Sequence, residues 1–106
     1  MASERLSKLL TMEQSKPDDA FIKFAIAQEY VNTQTDELAL PYFEALANKH
    51  PQYVPLYYHL GKLYERSGSF KQAREIYAAG VNVAKAANDL KTAGELQEAL
   101  TLLEDE

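Results

Sequence analysis

At 106 residues, with 46% apolar and 10% aromatic side chains and only four glycines and four prolines, the chain has the composition of one ordered domain. It is long enough to bury roughly two-thirds of its unfolded surface without a disulfide or metal staple. There is no cysteine and the net charge is −5, which excludes a disulfide framework, a thiolate nucleophile and cysteine-based metal sites, and leaves no Lys/Arg stripe to neutralise the phosphates of a nucleic acid.

The predicted elements are six helices. The first runs from about Ser3, a suitable cap, to Gln14, with Leu6, Leu9 and Leu10 on one face. Lys16-Pro17-Asp18-Asp19 breaks the chain, since the residue before proline avoids helix and Asp is a good cap. The second helix spans about Ala20 to Asn32, and the third, capped by Thr35 or Asp36, ends near His50 before Pro51. Pro41 lies inside that third helix, where it removes one backbone bond and predicts a local kink. Helix four covers about Val54 to Ser67, with Pro55 in its first turn where no amide bond is lost. Gly68 suits a left-handed terminator and Ser69 the following cap. The fifth helix runs from about Phe70 to Ala87, Asn88-Asp89 forms a brief break, and the sixth covers about Leu90 to Leu103. Short connections require neighbouring helices to lie antiparallel.

A 34-residue echo organises these helices. Tyr57, Leu60, Gly61, Tyr64, Ala73 and Tyr77 are matched 34 residues upstream by Lys23, Ile26, Ala27, Tyr30, Ala39 and Phe43, and Pro51 by Pro17. Self-similarity at this period denotes stacked helix-turn-helix units. Small residues at 27, 39, 61 and 73 let helix axes approach to ~8–10 Å, and the large ones at 30, 43, 64 and 77 fill the space between them.

The segment Tyr57-x2-Leu60-Gly61-x2-Tyr64 followed by Ala73-x3-Tyr77 resembles the tetratricopeptide repeat. An upstream copy carries Lys23 where an aromatic is usual, and Lys85 stands where a helix-ending proline is expected, which lengthens the fifth helix. The resemblance implies an all-α, right-handed antiparallel helix-turn-helix superhelix of about six helices, forming a single domain over 1–106. Within it, 3–16 is an N-terminal half-repeat, 20–53 repeat one, 54–87 repeat two and 88–104 a capping helix. In that cap Leu90, Ala93, Leu96, Leu100 and Leu103 face inward and Lys91, Glu95 and Glu98 outward. The acidic end, Glu104-Asp105-Glu106, reads as a solubilising terminus.

The resemblance further implies a concave face lined by the first helix of each pair. The residues left over there once packing positions are assigned are Phe21, Phe24, Gln28 and Val31, then Tyr58, His59, Lys62 and Glu65, then Asp89, Thr92, Leu96 and Ala99. The candidate peptide groove is Phe21, Phe24, Gln28, Tyr58, His59 and Lys62, with Phe24 and Tyr58 as anchors. The alternative is that a terminal helix covers these aromatics and makes them core. Some family members grip acidic chaperone tails with two Lys, two Asn and one Arg. The matching positions here hold Phe24, Gln28, His59, Asp89 and Ala93, so that clamp is not expected. A ligand with an apolar segment and one acidic group near Lys62 and His59 is expected instead.

No catalytic, cofactor-binding or metal-binding constellation is expected: no Ser-His-acid spacing, glycine-rich phosphate loop or His-x3-His pair occurs, and His50 and His59 are the only histidines. The opening MASERLSKLL lacks the apolar core of a signal peptide, and no stretch reaches ~18 apolar residues. The expected protein is therefore a cytoplasmic, non-catalytic adaptor that holds a protein or peptide, as a monomer or weak homodimer, with no nucleic-acid or membrane partner. The alternative is a structural, self-associating unit pairing through Leu6, Leu9 and Leu10 or through Leu96, Leu100 and Leu103.

Overall fold

The computed structural model describes residues 3–104. Among them are six α-helices and no strand, in two compact units, Met1–His50 and Pro51–Glu106. Asp105 and Glu106 of the expected acidic end lie outside the described residues.

The first unit holds α1 (Glu4–Ser15), α2 (Ala20–Asn32) and α3 (Asp36–Lys49). Ser3 caps α1 by accepting from the Leu6 amide at 2.9 Å, and its hydroxyl donates to Glu29 on α2 at 2.9 Å. Asp19 caps α2 by accepting from the Ile22 amide at 3.0 Å. These caps set the angle at which Leu6 and Leu9 meet Ile22, Ala25 and Ile26, with Leu10, Tyr30 and Tyr42 packed at the margin of that core. Helix α3 continues through Pro41. Pro41 and Glu37, whose carbonyl loses its amide partner, are both exposed, so water can serve the freed carbonyl.

The second unit holds α4 (Pro55–Arg66), α5 (Phe70–Ala86) and α6 (Leu90–Glu104). Pro55 occupies the first position of α4, and Tyr57 fixes the entry by donating its hydroxyl to the Pro51 carbonyl. Helix α5 has 17 residues against 14 for α3, as the missing proline at Lys85 predicts. Two glycines permit close packing between α4 and α5. A Cβ at Gly61 would stand 2.1 Å from Tyr77 Cε1, and one at Gly80 would stand 2.5 Å from Tyr57 Cβ. Both α4 and α6 pack on α5. Leu90, expected to face inward, is exposed, because it opens α6 a turn before the helix meets its neighbour at Ala93 and Leu96.

Three helix ends share one turn. Gln34, Gly68 and Asn88 have φ of 60°, 81° and 59°. Their amides reach back to the carbonyls of Val31, Glu65 and Lys85 at 3.0, 3.0 and 2.9 Å, and the amides of Thr35, Ser69 and Asp89 to those of Tyr30, Tyr64 and Ala84 at 2.8, 2.9 and 2.8 Å. This is the paired pattern that ends a helix and reverses the chain. Neither Thr35 nor Ser69, the expected caps, makes a side-chain cap bond. The Thr35 hydroxyl is drawn to the Tyr30 carbonyl, at 2.8 Å. Asp89 does cap α6, accepting from the Thr92 amide at 3.1 Å.

Candidate functional site

Helices α4 and α6 share α5 as a support, and an open depression of about 330 Å³ lies between them, lined by Tyr58, Lys62, Glu95, Glu98, Ala99 and Leu102. On α4, Tyr58 and Lys62 are one turn apart and share a face. On α6, residues 95, 98, 99 and 102 form the opposing stripe by the same spacing. Tyr58 is 37% exposed and Leu102 62%. The floor is apolar where Ala99 sits, and the wall offers an aromatic ring.

The charges around Tyr58 are arranged in a chain. Lys62 Nζ lies 5.3 Å from the centre of the Tyr58 ring and 3.5 Å from Glu65 Oε2. Glu65 also accepts the Tyr77 hydroxyl. Burial, together with the Glu65 carboxylate, pushes the Tyr77 hydroxyl far above the ordinary phenol range, so it remains a donor. The Tyr77 ring is 6.4 Å from that of Tyr58, so the exposed tyrosine is backed by a buried one. His59 is half-buried and meets Tyr58 edge-on at 6.0 Å. Desolvation, and then Arg66, depress its pKa below the usual imidazole value, which favours the neutral ring.

Of the six sequence-predicted residues, Tyr58 and Lys62 line the depression, and His59 stands beside Tyr58. In the first unit Phe21 is 62% exposed and Gln28 half-buried, both on α2. Phe24 corrects the expectation of a free anchor. It is 8% exposed and packs edge-on against Phe43 at 6.1 Å. The physical reason is that α2 lies against both α1 and α3, so it buries Ile22 and Phe24–Ala27 rather than a single stripe. Of the leucines expected to pair two copies, Leu6, Leu9, Leu96 and Leu103 are buried, which leaves the half-buried Leu10 and Leu100 as the members of those sets with surface to offer. Glu95 and Glu98 face outward, as the cap pattern predicts. From that outward face they also form one wall of the depression, a role the sequence reading did not assign. Their spacing with Ala99 and Leu102 on α6 was the signal that could have found them.

Among the described residues, no group of three or more His, Asp or Glu is placed to hold a metal ion. No described helix is long and apolar enough to cross a membrane.

Pairs of antiparallel helices closed by small-for-large packing every 34 residues define a helical repeat protein. A family model described as tetratricopeptide repeat matches residues 37–92. A tetratricopeptide repeat domain protein from Salinibacter ruber, solved in solution, is 42% identical, with 84% of this chain and 90% of that chain covered and a TM-score of 0.80. A crystal structure of a tetratricopeptide repeat domain protein from the same organism gives 42% identity, coverage of 81% and 97%, and a TM-score of 0.79. A Bordetella parapertussis protein solved in solution is 25% identical over 99% of this chain and 90% of its own, with a TM-score of 0.82. No curated protein matches the sequence. The chain belongs to the tetratricopeptide repeat family, whose members are in general protein-interaction modules.

Proposed function

We propose that this protein is a non-catalytic adaptor that holds a segment of a partner protein in the depression between α4 and α6. The observation that carries the reading is Tyr58: a large aromatic side chain, 37% exposed, standing over a depression shared with Ala99 and the exposed Leu102. A tyrosine already held against Tyr77 and His59 loses little side-chain freedom on binding, which is what makes aromatic side chains effective anchors. The α6 stripe of Ala99 and Leu102 offers a second apolar contact at helical spacing, suited to a partner helix or an extended segment.

Selection from a display library of short random peptides tests this, followed by fluorescence anisotropy on the enriched sequences. Peptides selected on the parent are expected to lose at least about tenfold in affinity for the Tyr58→Ala variant, and again for Leu102→Ala. Circular dichroism confirms that each variant stays helical. If the enriched peptides bind both variants as tightly as the parent, the depression is not the binding site.

A further inference from the structure

The chemical class of the partner can be read from charge, and this step rests on the peptide reading above. The two walls of the depression differ. Among the described residues Lys62 is the single cation that lines it, and it is paired with Glu65 at 3.5 Å, which partly offsets its charge. His59, the other basic group beside Tyr58, is desolvated and near Arg66, and both disfavour its charged form. Across the depression, Glu95 and Glu98 are three residues apart on the same face of α6 and exposed. Neither is in an ion pair among the described residues. An acidic ligand would therefore meet a lysine already paired with a carboxylate and two glutamates that repel it. This reverses the sequence expectation of an acidic group near Lys62 and His59.

We infer that the partner segment is basic and apolar: an apolar side chain seated against Tyr58, Ala99 and Leu102, flanked by a Lys or Arg that reaches Glu95 and Glu98. An arginine would suit that wall best, since its planar fork can bond a carboxylate through two N–H groups. The charge contacts lie at an exposed rim, so they select the partner and speed its capture more than they tighten the complex.

The same library is selected in parallel on the parent and on the Glu95→Lys/Glu98→Lys variant, and every enriched peptide is titrated against both proteins and against Tyr58→Ala. Both glutamates are exposed, so the reversed variant is expected to fold, which its thermal melt checks. The parent is expected to enrich peptides with an apolar residue flanked by Lys or Arg. Each glutamate reversed should cost these about two- to fivefold in affinity, and salt should weaken them progressively between about 0.05 and 0.5 M. Tyr58-dependent peptides that are neutral or acidic would overturn the charge assignment while leaving the binding site intact. Basic peptides that bind Tyr58→Ala as well as the parent are non-specific, and that result, like a selection yielding no Tyr58-dependent peptide, removes both readings.

Discussion

The α2–α3 and α4–α5 pairs solve one packing problem with different chemistry. In the second pair Tyr77 carries a hydroxyl that reaches Glu65, and the ring is drawn so far over α4 that only glycine fits at position 61. In the first pair the corresponding residues are Phe43, Val31 and Ala27: no hydroxyl, no carboxylate, and room for a methyl group. A second exchange runs alongside. Tyr57 and Gly80 in one pair stand where Lys23 and Leu46 stand in the other. Lys23 does not fill the aromatic's place by bulk. It reaches Glu13 of α1 at 3.2 Å and lies 5.7 Å from the centre of the Tyr42 ring, and the Tyr42 hydroxyl donates to the same carboxylate at 3.0 Å. Burial and the Glu13 contact push that hydroxyl up to about 12. The repeat pattern specifies volumes summed across a helix pair, and each pair distributes them differently.

The largest test of that comparison lies at positions 46 and 80. Leu46 is fully buried, so Leu46→Ala should cost roughly 2–5 kcal/mol through the cavity it leaves. Gly80→Ala should also destabilise, by roughly 1–3 kcal/mol, but through overpacking, because its Cβ would meet Tyr57 Cβ at 2.5 Å and Leu96 Cδ1 at 3.0 Å. Urea unfolding of both variants measures this. A neutral Gly80→Ala would break the comparison, since it would mean that α4 and α5 have room for the methyl group.

At positions 61 and 77 the expected effects are coupled. Gly61→Ala should cost roughly 1–3 kcal/mol in the parent, and clearly less in a Tyr77→Phe background, where the ring is no longer tied to Glu65. A double-mutant cycle with no coupling would separate the glycine from the hydroxyl. The same hydroxyl has a pH signature. Its pKa is raised on folding, so its stabilising effect is complete below about pH 10, the unfolded phenol value, and is lost as pH rises above that. Tyr77→Phe should therefore flatten the alkaline decline in stability that the parent shows.

The turns that end α2 and α4 differ in their left-handed residue. Gln34 and Gly68 hold the same left-handed backbone at φ of 60° and 81°, yet only glycine does so without steric cost. Gln34→Gly should stabilise by about 1 kcal/mol, and Gly68→Ala should destabilise by a similar amount although nothing lies within 4 Å of the added Cβ. Thermal melts that leave both variants unchanged would show that the turns relax.

Helix positions were legible in the sequence because they depend on local rules: Ser3 and Asp19 as caps, Gly68 past a helix end, Pro55 at a first position, and small residues facing large ones at a fixed period. The burial of Phe24 was not. Helical phase marks which residues face the same way, whereas α2 is covered by two neighbours and buries more than one face. Its counterpart Tyr58 stays exposed with a polar hydroxyl and a lysine beside it. The acidic wall was missed for a related reason. Glu95 and Glu98 look like solvated residues on a capping helix until α6 is set beside α4 with Tyr58 opposite.

The smallest expected effect concerns His59, whose counterpart 34 residues upstream is the buried Ala25. Only the second pair can therefore respond to pH at this position. Desolvation lowers the His59 pKa in the folded chain, with Arg66 adding to the shift. Unfolding restores the ordinary imidazole value of about 6.5. Below that value the unfolded chain binds a proton that the folded chain refuses, so the unfolded state gains and stability declines until the folded pKa is also passed. The effect runs opposite to that of a histidine stabilised by a carboxylate. His59→Gln removes the group and keeps polarity and approximate size. Unfolding free energies measured from pH 7.5 down to 5.5 should fall more steeply for the parent than for the variant. If the parent instead gains stability relative to His59→Gln over that range, the imidazole is held by an acidic neighbour, and its neutrality beside Tyr58 is lost with it.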